Sequence, residues 1–207
     1  MSEYTYADDQ PSCSSQYVLP AVQEALRDLP SNAVVADLGC GNGFVLAHFR
    51  QPNRELHGFE VSRTGLAEAA RAYPDIHFEE ADLAKEMDSH ALAGRCDAVI
   101  STEVVEHVFL PRVYARNCHR LLKPNGALVI STPYHGYLKN LFLAAADKMD
   151  FHYTALWDYG HIKFWSRRTL TRLLEEAGFQ VTQFRGVGRL PYLWKSMVLV
   201  ARKREQA

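Results

Sequence analysis

Little in these 207 residues points to a covalent staple, a membrane or a polyanion. Only four cysteines occur, at 13, 40, 96 and 118, and none stands in a Cys-x-x-Cys spacing. That argues against a zinc ribbon or a disulfide framework, and leaves reduced thiols, mainly in the core, as the expectation. No apolar run approaches the ~20 residues of a membrane span. The first ten residues are polar and acidic, unlike a signal peptide, so a cytoplasmic location is the default expectation. The net charge of −1 leaves no electrostatic footprint for nucleic acid. What is present suits a globule: 47% hydrophobic and 23% charged residues allow a full core, over a length that fits one domain spanning 1–207.

The stretch from Val34 to Phe49 runs from an apolar β-branched segment through glycines at 39, 41 and 43 into helical apolar spacing. That is how a strand turning sharply into a helix is written. The glycines let the backbone take positive φ and let a ligand approach it without interference from Cβ. The spacing is Gly-x-Gly-x-Gly, whereas a dinucleotide fingerprint needs its third glycine later. No lysine follows for a nucleoside triphosphate, so a P-loop is also excluded.

Asp37-x-Gly39-x-Gly41-x-Gly43 resembles motif I of the class I S-adenosylmethionine (SAM) methyltransferases. The resemblance implies that Gly39, Cys40, Gly41 and Gly43 wrap the amino-acid part of SAM, with Asp37 near its ammonium. Glu60, followed by Val61, ends the next strand, where a carboxylate can accept from both ribose hydroxyls. Asp82 and Leu83, after the third strand, are expected to frame the adenine, with a helix N-cap as the other reading of Asp82. Ser101, Thr102 and Glu103 close the fourth strand on the same edge.

The remaining pattern is regular. Helices are expected at 16–29, 63–73, 111–122 and 166–177, the last capped by Ser166 and stopped by Gly178. A short polar helix is expected at 85–93. Strands are expected at 76–80, 98–100, 127–131, 179–186 and 194–202, with 127–131 introduced by the turn Lys123-Pro124-Asn125-Gly126. The last two lie too close in sequence for a parallel crossover and must pair antiparallel. This is an open, mostly parallel α/β sheet with helices on both faces. The methyltransferase resemblance implies a Rossmann-like, seven-stranded order 3-2-1-4-5-7-6. Residues 1–15 read as a loose arm, although Tyr4 and Tyr6 can fold over a cofactor. The aromatic, irregular stretch 133–165 reads as a substrate lid, or else as a packed insertion helix.

Glu103, Glu106 and His107 follow the fourth strand directly. On a helical turn, positions i, i+3 and i+4 are neighbours. Two carboxylates and an imidazole so close repel unless a cation or donors lie among them. A divalent metal is one reading; His107 as general base beside Glu106 is another. The third gives Glu103 to cofactor positioning, Glu106 to capping and His107 to packing. Glu-x-x-Glu-His resembles the O-methyltransferases of ubiquinone biosynthesis and the enzymes that methylate the terminal 2′-hydroxyl of small RNAs. That resemblance implies a metal on Glu103, Glu106 and His107. In the RNA enzymes a further histidine comes from a His-Lys-Phe-x-Trp segment. Gly160-His161-Ile162-Lys163-Phe164-Trp165 is similar, with Lys and Phe displaced by one, and offers His161. Two histidines in the set lean toward Zn, Mn, Fe or Co. His135 and His152 stand in the same irregular stretch, in place of His161 or against substrate. The expected activity is SAM-dependent methyl transfer to oxygen of a small phenolic or quinone-like acceptor. RNA 2′-O-methylation and a non-catalytic SAM-binding module are the alternatives.

Overall fold

Successive residues of the central strands face two different cores, which is what a sheet covered on both sides requires. In the strand β5 (Leu122–Pro133), Leu128 and Ile130 face one core while Ala127 and Val129 face the other. The computed structural model describes residues 5, 6, 8, 10–87, 90–153 and 155–204. Tyr4, one of the two arm tyrosines, lies outside them.

In chain order the elements are α1 (Ser15–Ala25), β1 (Val34–Leu38), α2 (Phe44–Ala47), β2 (Glu55–Glu60), α3 (Arg63–Ala72), β3 (His77–Glu80), β4 (Cys96–Thr102) and α4 (Pro111–Leu121), then β5. After β5 come α5 (Tyr137–Ala145), α6 (Met149–Tyr153), α7 (Arg167–Glu176), β6 (Phe179–Val187) and β7 (Ser196–Lys203). The sheet order is β3-β2-β1-β4-β5-β7-β6. Only β7 runs against its neighbours, pairing antiparallel with both β5 and β6. The expected order and the antiparallel ending are both present.

The apolar stripes of α4 and α7 cover one face, around Tyr114, Leu121, Leu170 and Leu174. Val18 and Val22 of α1, with Leu46 of α2, cover the other. Ser166 caps α7 through a reciprocal box with Thr169, and Gly178 ends it at φ 92°. Among the described residues no helix is long and apolar enough to cross a membrane. Cys40, Cys96 and Cys118 are buried free thiols, and Cys13 is an exposed one.

Two local expectations are corrected. The described part of 85–93 is a series of turns, not a helix. Its backbone is satisfied from outside: Asn117 of α4 accepts from Met87 N at 3.0 Å and donates to the carbonyls of Leu83 and Lys85. A buried amide that takes over these groups removes the need for a helix. The fifth strand begins before the Lys-Pro-Asn-Gly turn, because Leu122 pairs with Cys96 and Ala127 with Ala98. The turn is a bulge between these two pairs, with Asn125 at φ 63°.

Candidate functional site

The carboxyl edge of the parallel strands is where open α/β sheets bind ligands, and the predicted residues gather there in two groups.

The first surrounds the glycine loop after β1. Gly39, Gly41 and Gly43 all have positive φ. At Gly39 a Cβ would stand 2.4 Å from Cγ2 of Val104, so the loop needs glycine there both for its backbone and for the close approach of the 103–107 segment. Glu60, at the end of β2, accepts from Gly41 N at 2.9 Å and from Val61 N and Ser62 N at 2.8 and 2.9 Å. Its carboxylate therefore holds the loop against β2 and retains spare lone pairs for a further donor. Val61 is exposed beside it.

Asp37 is buried at 1% exposure, and neither carboxylate oxygen has a partner. Burial, reinforced by the charge of Glu60, raises its pKa to about 8. A buried carboxylate with no donor fits a cationic ligand group at this point. Cys40 is buried in the loop, and its thiol is pushed well up by burial. Ser101 donates to the carbonyl of Leu38, tying the end of β4 to β1. Asp82 is exposed and accepts from Ala84 N at 3.0 Å as a turn residue, while Leu83 packs on the core. Helix α2 has only four residues, too short to present a strong dipole to a pyrophosphate.

Asn42, which sequence reasoning passed over, and Tyr6, one of the two arm tyrosines expected to be able to fold over a cofactor, complete this half. Asn42 donates from its side chain to the carbonyls of Asp8 and Gln10 at 3.0 and 2.8 Å. Tyr6 lies so close over Gly41 that a Cβ there would meet its hydroxyl at 2.6 Å. Tyr6, Asp8 and Gln10 thereby lie across the loop, beside an open cleft of about 240 Å³ that Tyr6, Gln10, Gly41, Phe44 and Thr102 help to line. The amide of Asn42 sits inside the quoted motif; its partners, more than 30 residues earlier, leave no periodic trace.

The second group forms around Glu103–His107. Glu103 has φ 55°, a left-handed backbone that non-glycine residues adopt at a cost and that clusters at functional sites. It leaves the strand sideways: its carboxylate accepts from Ser131 Oγ at 2.7 Å and Ser196 Oγ at 2.9 Å. Burial raises its pKa to about 7. Residues 104–107 make a single turn, closed by His107 N to Val104 O at 2.9 Å. Glu106 is buried at 1% exposure, with one oxygen accepting from Thr132 Oγ1 at 2.9 Å and the other unpartnered. Burial first, and then the charge of Glu103, raise its pKa well above the carboxylate range.

The 160–166 segment is stitched onto this turn. Ile162 N and Lys163 N both donate to Glu106 O at 3.0 Å, and Trp165 Nε1 donates to Val105 O at 3.2 Å. His161 is thus placed with its ring 4.9 Å from that of His107. Donor atoms of Glu106, His107 and His161 all lie within 4.8 Å of one another; Glu103 is not in this group. His107 keeps an exposed edge, yet crowding of its ring lowers its pKa, opposed by hydrogen bonding with the backbone at Gly160 and Tyr159. His161 is lowered to about 4 by burial and by the neighbouring His107 and His152. The two imidazoles are therefore neutral and free to ligate or accept a proton.

A family model described as a methyltransferase domain matches residues 13–184. A ubiquinone biosynthesis O-methyltransferase of Ralstonia nicotianae is 28% identical over 160 residues, covering 74% of this chain and 65% of that protein. The chain spans less than two thirds of the length of the first curated relatives it matches. Among solved structures, an S-adenosylmethionine-dependent methyltransferase of Mesorhizobium loti superposes with a TM-score of 0.66 at 22% identity, covering 88% of this chain and 96% of that one. The [4+2]-cyclase SpnF superposes with a TM-score of 0.72 at 17% identity, covering 98% and 86%. The fold is thus shared with a protein named for different chemistry, and fold alone does not assign a reaction. The family match, which runs from the arm through β1 to β5 and into β6, does assign a family: this chain belongs to the methyltransferase-domain family.

Proposed function

We propose that this protein is a SAM-dependent O-methyltransferase acting on a small phenolic or quinone-like molecule. The observation that carries the reading is the juxtaposition of His161, from the 160–166 segment, with Glu106 and His107 on a turn whose Val104 packs directly over Gly39. It makes one site with a donor half and an acceptor half.

Asp37, Glu60 and the strapped glycine loop fit a cofactor with a cationic amino-acid end and a ribose. Asp37 receives the ammonium, Glu60 the ribose hydroxyls, and Asp82 with Leu83 the adenine. SAM supplies a methyl group on a sulfonium, so the protein has to orient one oxygen in line with it and remove that oxygen's proton. Neutral His107 is suited to take the proton. Stretch 133–165, with α5 and α6, serves as the lid that keeps water from the acceptor.

Glu106, His107 and His161 also fit a divalent cation. One buried, unpartnered carboxylate oxygen and two neutral imidazoles are the donor set of open, catalytically used sites. A cation there favours the ionised form of an acceptor hydroxyl. Glu103 takes no part in this set; it anchors β4 to β5 and β7 through its two serines.

Calorimetry with SAM, with and without Zn or Mn, together with a methyl-transfer screen over phenols and quinols, tests the reading. SAM binding, a metal stoichiometry near one that Glu106→Ala removes, and methyl transfer to a ring oxygen are expected. Absence of SAM and S-adenosylhomocysteine binding would overturn the whole reading. Metal-independent transfer by wild type would leave His107 as the base without a cation.

A further inference from the structure

His135 and His152 are not among the donor atoms of the Glu106 cluster, and the proposed function gives neither ring a role of its own. His135 follows the end of β5 and is 7% exposed, with its backbone N donating to Trp165 O at 3.1 Å. Neither of its ring nitrogens has a hydrogen-bond partner. His152, on α6, places its ring 5.3 Å away, and its buried Nε2 is also unpartnered. Tyr153 stacks at 6.0 Å from His135, and Phe164 meets it edge-on at 5.1 Å. Three unsatisfied polar atoms on two adjacent rings, inside an aromatic box, are costly for a fold to keep unless something supplies their partners.

The chemistry of the box limits what that is. No carboxylate belongs to the pair, and the positive charges nearest in effect, Lys139 and Arg189, oppose a cation. Burial and those charges keep both imidazoles neutral, so each ring offers one N–H and one lone pair. An anion would face the lone pairs without a proton to give. A neutral hydroxyl satisfies both kinds of atom, donating to one ring and accepting from the other. Flat walls of Tyr153 and Phe164 suit a hydroxyl carried on an aromatic ring. The box adjoins the segment that carries His161, because Phe164 forms one of its walls and His135 N donates to Trp165 O.

We infer that His135 and His152 are a specificity-determining pair that holds a second ring hydroxyl of the acceptor, distinct from the oxygen that receives the methyl group. The inference rests on the acceptor site proposed above. It assigns the pair to selecting acceptors with two oxygens on one ring over those with one.

The full chain saturated with S-adenosylhomocysteine is titrated with catechol and with phenol, reading affinity by calorimetry and imidazole nitrogens by NMR. Wild type is expected to bind catechol about tenfold more tightly than phenol, with His135 and His152 resonances moved by catechol alone. His135→Phe and His152→Phe should bring the ratio near one while leaving phenol affinity within about twofold. Their melting temperatures should hold or rise, since each removes unpaired buried atoms. Should the phenylalanine variants not fold, His152→Leu, smaller and equally without a hydrogen-bonding atom, gives the same comparison. A preference unchanged in the variants overturns the inference. So does movement of His107 and His161 without His135 and His152, which would leave the box to ordered water and the proposed function intact. No response of any of the four histidines to either compound would overturn both.

Discussion

The two halves of the site are built by different means. Around Asp37–Ser62 the functional groups are held by hydrogen bonds at the ends of adjacent parallel strands: Gly39 N and Cys40 N donate to Phe59 O, and the Glu60 carboxylate gathers the N–H groups of Gly41, Val61 and Ser62. Around Glu106 they are held by a segment from more than 50 residues later, sewn on through Ile162 N, Lys163 N and the indole of Trp165. The first half is rigid because the sheet is. The second depends on a few contacts between irregular segments, and of its chemical groups only Glu106 is buried, with one carboxylate oxygen unpartnered. Such an arrangement lets the cofactor half stay constant while the acceptor half varies in sequence.

Substitutions that respect this division should separate the two halves. Gly39→Ala strikes where they meet: the residue is at φ 82° and its Cβ would overlap Val104. Left-handed strain plus overpacking should cost about 2–4 kcal/mol, visible as a lower melting temperature together with loss of SAM binding. If the variant binds SAM normally, the two halves are not in contact as described.

Glu106→Gln should act on one side only. Methyl transfer should fall by about 10²-fold or more, with SAM affinity within about twofold of wild type. Burial already holds the Glu106 carboxyl in its protonated form, so the neutral amide introduces no new charge and the ligand-free fold should melt no lower. A comparable loss of SAM affinity would show that the halves are coupled rather than separate.

Asp37 makes the cofactor half sensitive to pH. Its folded pKa of about 8 lies above the ~3.9 of an unfolded aspartate. Its contribution to stability is therefore fully present below about pH 4 and is lost as pH rises through about 8. A cationic ligand needs the ionised form, so SAM affinity should rise between pH 6 and 8, by up to about tenfold per unit. Asp37→Asn should flatten that rise, measured by calorimetry across the range. The Glu106 cluster should not alter it.

Asn42→Ala should have the smallest effect. Losing two side-chain hydrogen bonds to the arm costs about 1 kcal/mol, enough to speed SAM release about fivefold in stopped flow without changing the acceptor preference.

Much of the sheet was legible because its signals are local. Val34–Leu38, the alternate glycines and the helix stops each depend on neighbours within a few residues, and the close spacing of β6 and β7 leaves only antiparallel pairing. The described part of 85–93 does not form the expected helix because the competitor was distant: Asn117 supplies hydrogen bonds that a helix would have made internally. Glu103 was expected beside Glu106 on one helical turn. Its left-handed φ of 55° and the hydroxyls of Ser131 and Ser196 turn it elsewhere, and Ser196 lies 93 residues away. The hold of Asn42 on Asp8 and Gln10 was not legible for the same reason, since the carbonyls it binds carry no periodic pattern.

By itself, then, the sequence determined the strand order's local ingredients, the glycine loop with its acid, and which residue types were available for the chemistry. Only the tertiary structure decided which of them meet. His161 joins Glu106 and His107, Glu103 leaves them, and His135 pairs with His152, because these placements are set by long-range hydrogen bonds and packing rather than by the dihedral preferences of neighbouring residues.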